Sequence, residues 1–144
     1  MKTIILTLAL AISTFVAKAQ ADTEAISEGT TITVTVPVPS DEGSVLFGLY
    51  DENTFMKAAP IQSLESEIKD GKAVVTFTNV TPGTYGITLF HDKNGNKTMD
   101  FEPNGMPKEM YGVSNNVMNT MGPPQWSDAK FEVADQPLEL DIRM

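Results

Sequence analysis

The sequence predicts an all-β fold: a single immunoglobulin-like or transthyretin-like sandwich of about seven strands. Three observations predict it. Apolar residues recur with a period of two in several separate stretches. The connections between those stretches are dense in Gly, Pro, Asn and Asp. No stretch carries a convincing helical period, and short strands broken by turn signals are the pattern of a sandwich.

The first strand opens at Thr30. Ile32, Val34, Val36 and Val38 point to one side, and Thr31, Thr33 and Thr35 to the other. β-Branched residues suit such a half-buried surface. Pro37 and Pro39 place the end of this strand at a sheet edge. Val45, Phe47 and Leu49 form the next inward face, and Asp51 to Pro60 is a loop with Phe55 as its plug. A weaker strand over 62–68 turns Leu64 and Ile68 inward. Asp70-Gly71 then favours a hairpin turn with positive φ. Ala73, Val75 and Phe77 face inward on the following strand. Thr81-Pro82-Gly83 reads as a type II turn, with Gly83 at the position that needs positive φ. Tyr85, Ile87, Leu89 and His91 share one parity beyond it. From Asp92 to Asp128 no period is visible, and a gap that long is generally functional or internally braced. Ala129, Phe131 and Val133 resume the alternation, and Leu138, Leu140 and Ile142 complete it.

The start of the chain has a different character. Met1-Lys2 is followed by an apolar run from Ile4 to Val16, and Ala17-Lys18-Ala19 supplies small residues before Gln20. This is the layout of a secretory signal peptide over residues 1–19, with cleavage expected after Ala19. The run is short of the roughly 20 residues needed to span a bilayer. Residues 20–29 read as a flexible leader and 30–144 as the domain. A periplasmic or secreted protein is expected, with no membrane insertion after cleavage. The chain has no cysteine, which excludes a lipid-modified N-terminal cysteine and any disulfide staple.

The whole chain carries a formal charge of −9. Loss of residues 1–19 leaves 8 basic and 19 acidic residues over 125 positions, a charge of −11. Such a surface repels nucleic acid and anionic membranes and attracts cations. The expected partner is therefore an extracellular or cell-envelope ligand of another kind.

The stretch from His91 to Asp100 holds the strongest chemical signal. Asp92, Asn94, Asn96 and Asp100 put oxygen-bearing side chains at relative positions 1, 3, 5 and 9. One tight loop with that spacing can wrap a hard cation such as calcium. The carbonyl of Thr98 falls where an EF-hand loop donates a backbone oxygen, and Glu102 completes the shell, with Glu109 as a more distant donor. Two departures separate it from an EF-hand: Lys97 stands at the glycine position and Pro103 at the closing glutamate. The plain alternative is a loop braced by its own Asn and Asp side chains without metal.

Two other chemistries are weighed against this one. His91 with Glu109 would make an acid–base pair for a hydrolase-like enzyme. One histidine, no cysteine nucleophile and no motif around Ser114 weigh against it. Met99, Met106, Met110, Met118 and Met121 with His91 would suit Cu(I) outside the cytoplasm. Methionine also fills gaps in irregular cores, the simpler reading of the cluster. Tyr111, Asn115, Asn116 and Trp126 are candidates for a binding surface displayed by the long loop, or else anchors that pin it to the sandwich. The sequons at Asn79 and Asn96 read as chance.

Several fixed spacings agree with one another. They are Thr81-Pro82-Gly83-Thr84-Tyr85, His91-Asp92-x-Asn94-x-Asn96 with Asp100, Gly105-x-Pro107-x-Glu109, Tyr111-Gly112-x-Ser114-Asn115-Asn116, and Gly122-Pro123-Pro124 through Asp128-Ala129. Over about residues 30–144 the chain resembles a family of exported bacterial proteins known only as a domain of unknown function. The resemblance implies a periplasmic or extracellular protein with a transthyretin-like sandwich, and it implies no activity. The chain differs where that family often has Gly, at Lys97, and where it tends to have Phe, at Trp126. These features together lead to the expectation of a non-catalytic binding or structural module, stabilised by calcium through the 92–100 loop.

Overall fold

A computed structural model describes residues 29–118 and 121–144. The expected signal peptide and nearly all of the expected leader lie outside the described residues. No helix among the described residues is long and apolar enough to cross a membrane.

Among the described residues, eight strands build two sheets. They are β1 (Thr30–Pro37), β2 (Ser44–Tyr50), β3 (Gln62–Glu67), β4 (Lys72–Val80), β5 (Gly83–Asp92), β6 (Tyr111–Val113), β7 (Phe131–Val133) and β8 (Leu138–Asp141). One sheet runs β4-β1-β8; the other runs β3-β2-β5-β6, with β7 also on β5. β1 pairs antiparallel with β4 and parallel with β8, so that Val34 stands between Val75 and Leu140. In the second sheet Phe47 stands between Leu64 and Leu89.

The period-two pattern explains the core. Ile32, Val34, Val36, Val45, Leu49, Phe77 and Ile87 are completely buried between the sheets, and Leu64, Ile68, Leu138 and Leu140 close its margins. Burial of each such side chain is worth about 1.5–3 kcal/mol, so the sandwich face supplies most of the stabilisation.

The connections follow local chemistry. Asp70 and Gly71 both take positive φ, 53° and 73°, and Lys69 and Lys72 exchange both backbone hydrogen bonds across them. This is the twisted two-residue hairpin that Asp-Gly favours. The β4–β5 connection corrects a sequence expectation. Gly83 is not among the positive-φ glycines and already belongs to β5, so Thr81-Pro82-Gly83 is not a type II turn. The left-handed residue is Asn79, with φ 54°. The corner is held instead by Tyr85, whose hydroxyl donates to the Thr81 carbonyl at 2.7 Å. A tyrosine tying back to the preceding corner is a recurrent device of immunoglobulin-type sandwiches.

The region after β5 is more structured than its sequence suggests. β6 and β7 are three residues each and share one edge of β5, opposite residues 88–90 and 83–85 respectively. Between them lie a single 3₁₀ turn, Ser114–Asn116, and a one-turn helix α1, Trp126–Ala129. Ser114 bridges the break in strand pairing. Its buried hydroxyl accepts the Ile87 amide at 3.0 Å and donates to the Ala129 carbonyl. A second apolar cluster covers the outer face of this sheet. Phe55 sits at its centre, edge-on to Tyr50 and tilted against Trp126, with ring centroids 5.8 and 5.6 Å away. Gly86 makes room for it, since a Cβ there would meet both the Phe55 and Trp126 rings at 3.2 Å.

Candidate functional site

The 92–100 loop is organised around two carboxylates. Asp92 ends β5 and is fully buried. Its Oδ1 accepts the Gly95 amide at 3.0 Å and its Oδ2 accepts the Lys97 amide at 2.9 Å. A buried carboxylate is tolerated only when its oxygens are engaged in this way. To reach Asp92, the chain turns through the left-handed region at Gly95 and at Lys97, with φ 72° and 63°. Lys97 occupies the position that glycine holds in an EF-hand loop, and it adopts the backbone that glycine would supply.

Asp100 is the second focus. The Asn94 carboxamide donates to Asp100 Oδ2 at 2.7 Å, and the Asn96 carboxamide reaches both oxygens at 2.9 and 3.0 Å. The oxygens of Asn94 and Asn96 accept the amides of Asn96 and Thr98, at 3.2 and 3.1 Å. The structure therefore brings Asn94, Asn96 and Asp100 together, with Asp92 beneath the same loop. Glu102 is not drawn in. Its backbone closes a separate turn with Gly105 and Met106. Glu109 comes nearer, accepting the Asp100 amide at 3.3 Å. Among the described residues no group of three His, Asp or Glu side chains is placed to hold a metal. A cation in this loop would depend on the two Asn oxygens and on backbone carbonyls.

Lys97 forms an ion pair with Glu65 of β3. Its ammonium hydrogen bond and that of the Ser44 hydroxyl hold the Glu65 carboxyl below its ordinary range, and the charge of Lys97 acts in the same direction. The loop is thus tied to the neighbouring strand from outside as well as to β5 from within.

His91 is 4% exposed, on the inward parity of β5. Its Nε2 donates to the Glu42 carbonyl at 2.6 Å, so chemistry at this ring would have to use Nδ1. His91, Asp100 and Glu109 border one polar depression of about 460 Å³ together with Lys93 and Lys108.

The methionines depart from the expectation that they fill the interior. Met106, Met110, Met118 and Met121 are all exposed. Met99, Met106 and Met118 line an apolar cleft of about 670 Å³ on the outer face of the second sheet, while Met110 lies apart from it. His91 does not line that cleft, so the structure does not bring it together with those three thioethers. Nothing in the sequence distinguishes a methionine that plugs a core from one that walls a cleft.

The four residues considered for a displayed surface are put to different uses. Tyr111 lines the cleft. Trp126 packs on Phe55. Asn115, with φ 65°, donates its carboxamide to the carbonyls of Asp128 and Lys130 at 2.8 and 2.9 Å. Asn116 donates to the Asp141 carbonyl at 3.1 Å and accepts the Arg143 amide at 2.8 Å. The asparagine pair therefore stitches the 3₁₀ turn to α1 on one side and to β8 on the other.

The family described as "Uncharacterized protein conserved in bacteria (DUF2141)" matches residues 32–141. That span covers most of the chain, and the protein belongs to this family. No curated protein and no solved structure matches it.

Proposed function

We propose that this DUF2141 protein is an exported, non-catalytic binding module of the cell envelope whose 92–100 loop takes up calcium. The observation that carries the reading is the convergence of Asn94, Asn96 and Asp100 in a loop whose backbone turns at Lys97 towards Asp92. Calcium takes six to eight oxygens and tolerates irregular cages. To admit it, both Asn carboxamides would rotate their oxygens towards Asp100, exchanging the present amide contacts for ion contacts. Charge supports the same direction, since a chain at −9 concentrates cations and not anions. Export rests on the N-terminal pattern of residues 1–19. Neither nucleic acid nor an anionic bilayer suits this charge as a partner.

Thermal unfolding of residues 20–144, first in EDTA and then in millimolar calcium, tests the proposal. Calcium at about 100 times Kd would add about 2.7 kcal/mol. For a domain of this size that raises Tm by about 5–15 °C. The gain should vanish in Asp100→Ala. An unchanged Tm would leave the loop braced by its own side chains and remove calcium from the reading.

A further inference from the structure

The geometry points to the apolar cleft on the outer face of the second sheet as a binding site for a small, uncharged, mainly apolar molecule. This inference stands on residues other than the calcium loop's ligands and does not depend on calcium.

The outward parity of β5 and its neighbours makes the floor. Thr88 and Phe90 of β5 face the same side as their partners Val113 and Tyr111 of β6, and Tyr50 of β2 lies beside them. In a two-sheet sandwich this outer face would ordinarily be polar and wet. Here its lower end is covered by Phe55 and Trp126, and its upper end is left open under the long loop. Two arms of that loop form the walls. Met99, Phe101 and Met106 come from one arm and Met118 from the other.

Four observations argue for a small-molecule occupant. The cleft encloses about 670 Å³, within the range of about 300–1,000 Å³ typical of small-ligand pockets. Phe101, Met106 and Met118 stand 58, 59 and 64% exposed at its rim, a cost that a bound apolar molecule would remove. Among the described residues no Asp, Glu, Lys, Arg or His lines it, although 20% of the chain is charged. The hydroxyls of Tyr50, Thr88 and Tyr111 border it, and none has a hydrogen-bond partner among the described residues. Such a site rewards burial of hydrocarbon and offers orientation through one or two hydroxyl contacts. Methionine walls adapt to ligand shape.

Charge selects the class further. A carboxylate or phosphate would enter an acidic molecule with no cation waiting for it. Lys97 borders an adjoining depression that shares Tyr50, Thr88 and Phe90 with the cleft, and it is already paired with Glu65. The same net charge opposes a second copy of this chain as the occupant.

Titration of residues 20–144 with N-phenyl-naphthylamine, a neutral fluorescent probe, tests this, in EDTA and again in calcium. Saturable binding of one probe per chain is expected in both. Dodecanol should displace the probe, and dodecanoate and dodecylammonium should do so at least tenfold less well, since neither finds a counter-charge. Phe101→Ser and Met106→Ser should each weaken binding by about tenfold through lost apolar contact, whereas Ile61→Ser, exposed but outside the cleft, should not. Melting curves establish that each variant is folded. Absence of saturable binding, an equal loss in Ile61→Ser, preference for either charged competitor, or light scattering that shows the cleft closed by dimerisation would each overturn the assignment. Probe binding without a calcium-dependent Tm would separate this site from the loop proposal.

Discussion

The two halves of this molecule are held together by different forces. Between the sheets, order comes from aliphatic burial. Ile32, Val34, Leu49, Phe77 and Ile87 are completely buried in one apolar cluster, and their alternation writes the strands into the sequence. From Asp92 to Lys130, order comes from side chains bonded to backbone. Asp92, Ser114, Asn115 and Asn116 bond backbone in this way, and so do the oxygens of Asn94 and Asn96, whose nitrogens bond the Asp100 carboxylate. The first kind of order is non-directional and forgiving of sequence. The second depends on single atoms at single distances, and is lost locally when one of them is removed.

A core substitution should have the largest effect. Phe77→Ala should cost about 3–5 kcal/mol, read as a lower urea midpoint with every probe moving together. Next comes Asp92→Ala, which strips two amides of their acceptor beneath the loop. It should cost about 2–3 kcal/mol. Hydrogen exchange sharpens the contrast: protection should fall at Gly95 and Lys97 while β1 and β4 keep theirs. A uniform loss across both sheets would show that the loop and the sandwich unfold as one unit. Asn115→Ala comes third. It removes two hydrogen bonds and places alanine at φ 65°, for a cost of about 1–2 kcal/mol. Because Asn115 holds the C-terminal end of α1, one turn from Trp126, Trp126 fluorescence should change before far-ultraviolet circular dichroism does.

The smallest effect belongs to Glu65, which links the two regions at the surface. Its carboxyl is held below the ordinary range by Lys97 and Ser44. A depressed carboxylate contributes stability that is present above its unfolded pKa and lost as pH falls through the folded one. Glu65→Gln should therefore lower Tm slightly near neutrality, leave it unchanged in acid where the carboxyl is already protonated, and so flatten part of the acid limb of a Tm-against-pH curve. A Tm loss near pH 7 as large as that of Asn115→Ala would mean that the Lys97 contact does more than an exposed ion pair ordinarily can.

What the sequence revealed divides along the same line. β1, β2, β4 and β5 are legible because Ile32 to Val38, Val45 to Leu49, Ala73 to Phe77 and Tyr85 to His91 keep strict alternation and are buried as expected. Phe55 was readable as a plug because a lone aromatic in a polar loop has few other uses. β6 is not legible, since Tyr-Gly-Val is too short to show a period and gains its identity only by pairing with Thr88 to Phe90. Ser114 belongs to one of the family spacings, but its bridging role is not legible there, because that role comes from a gap in the pairing of a distant strand. Gly83 misled, since Pro-Gly suits a type II turn locally and Tyr85 decides the corner from four residues away. The loop's carboxamide cluster was foreseeable from spacing; the cleft was not, because its floor is the wrong parity of strands chosen for their inner face.

The split edge of β5 has a consequence for how these molecules coexist at high concentration. An uninterrupted strand edge is a template on which another chain can add itself. Here that edge is occupied by two pieces, β6 and β7, of three residues each, with a serine hydroxyl filling the break between them. A newcomer would find no continuous row of amides and carbonyls to pair with. The far edge, β3, is instead engaged by β4: Ser66 Oγ accepts the Val74 amide at 3.3 Å, and the Gln62 carboxamide donates to the Thr78 carbonyl at 2.9 Å. Growth of this sheet from molecule to molecule is discouraged at both ends, by fragmentation at one and by side-chain contacts with β4 at the other.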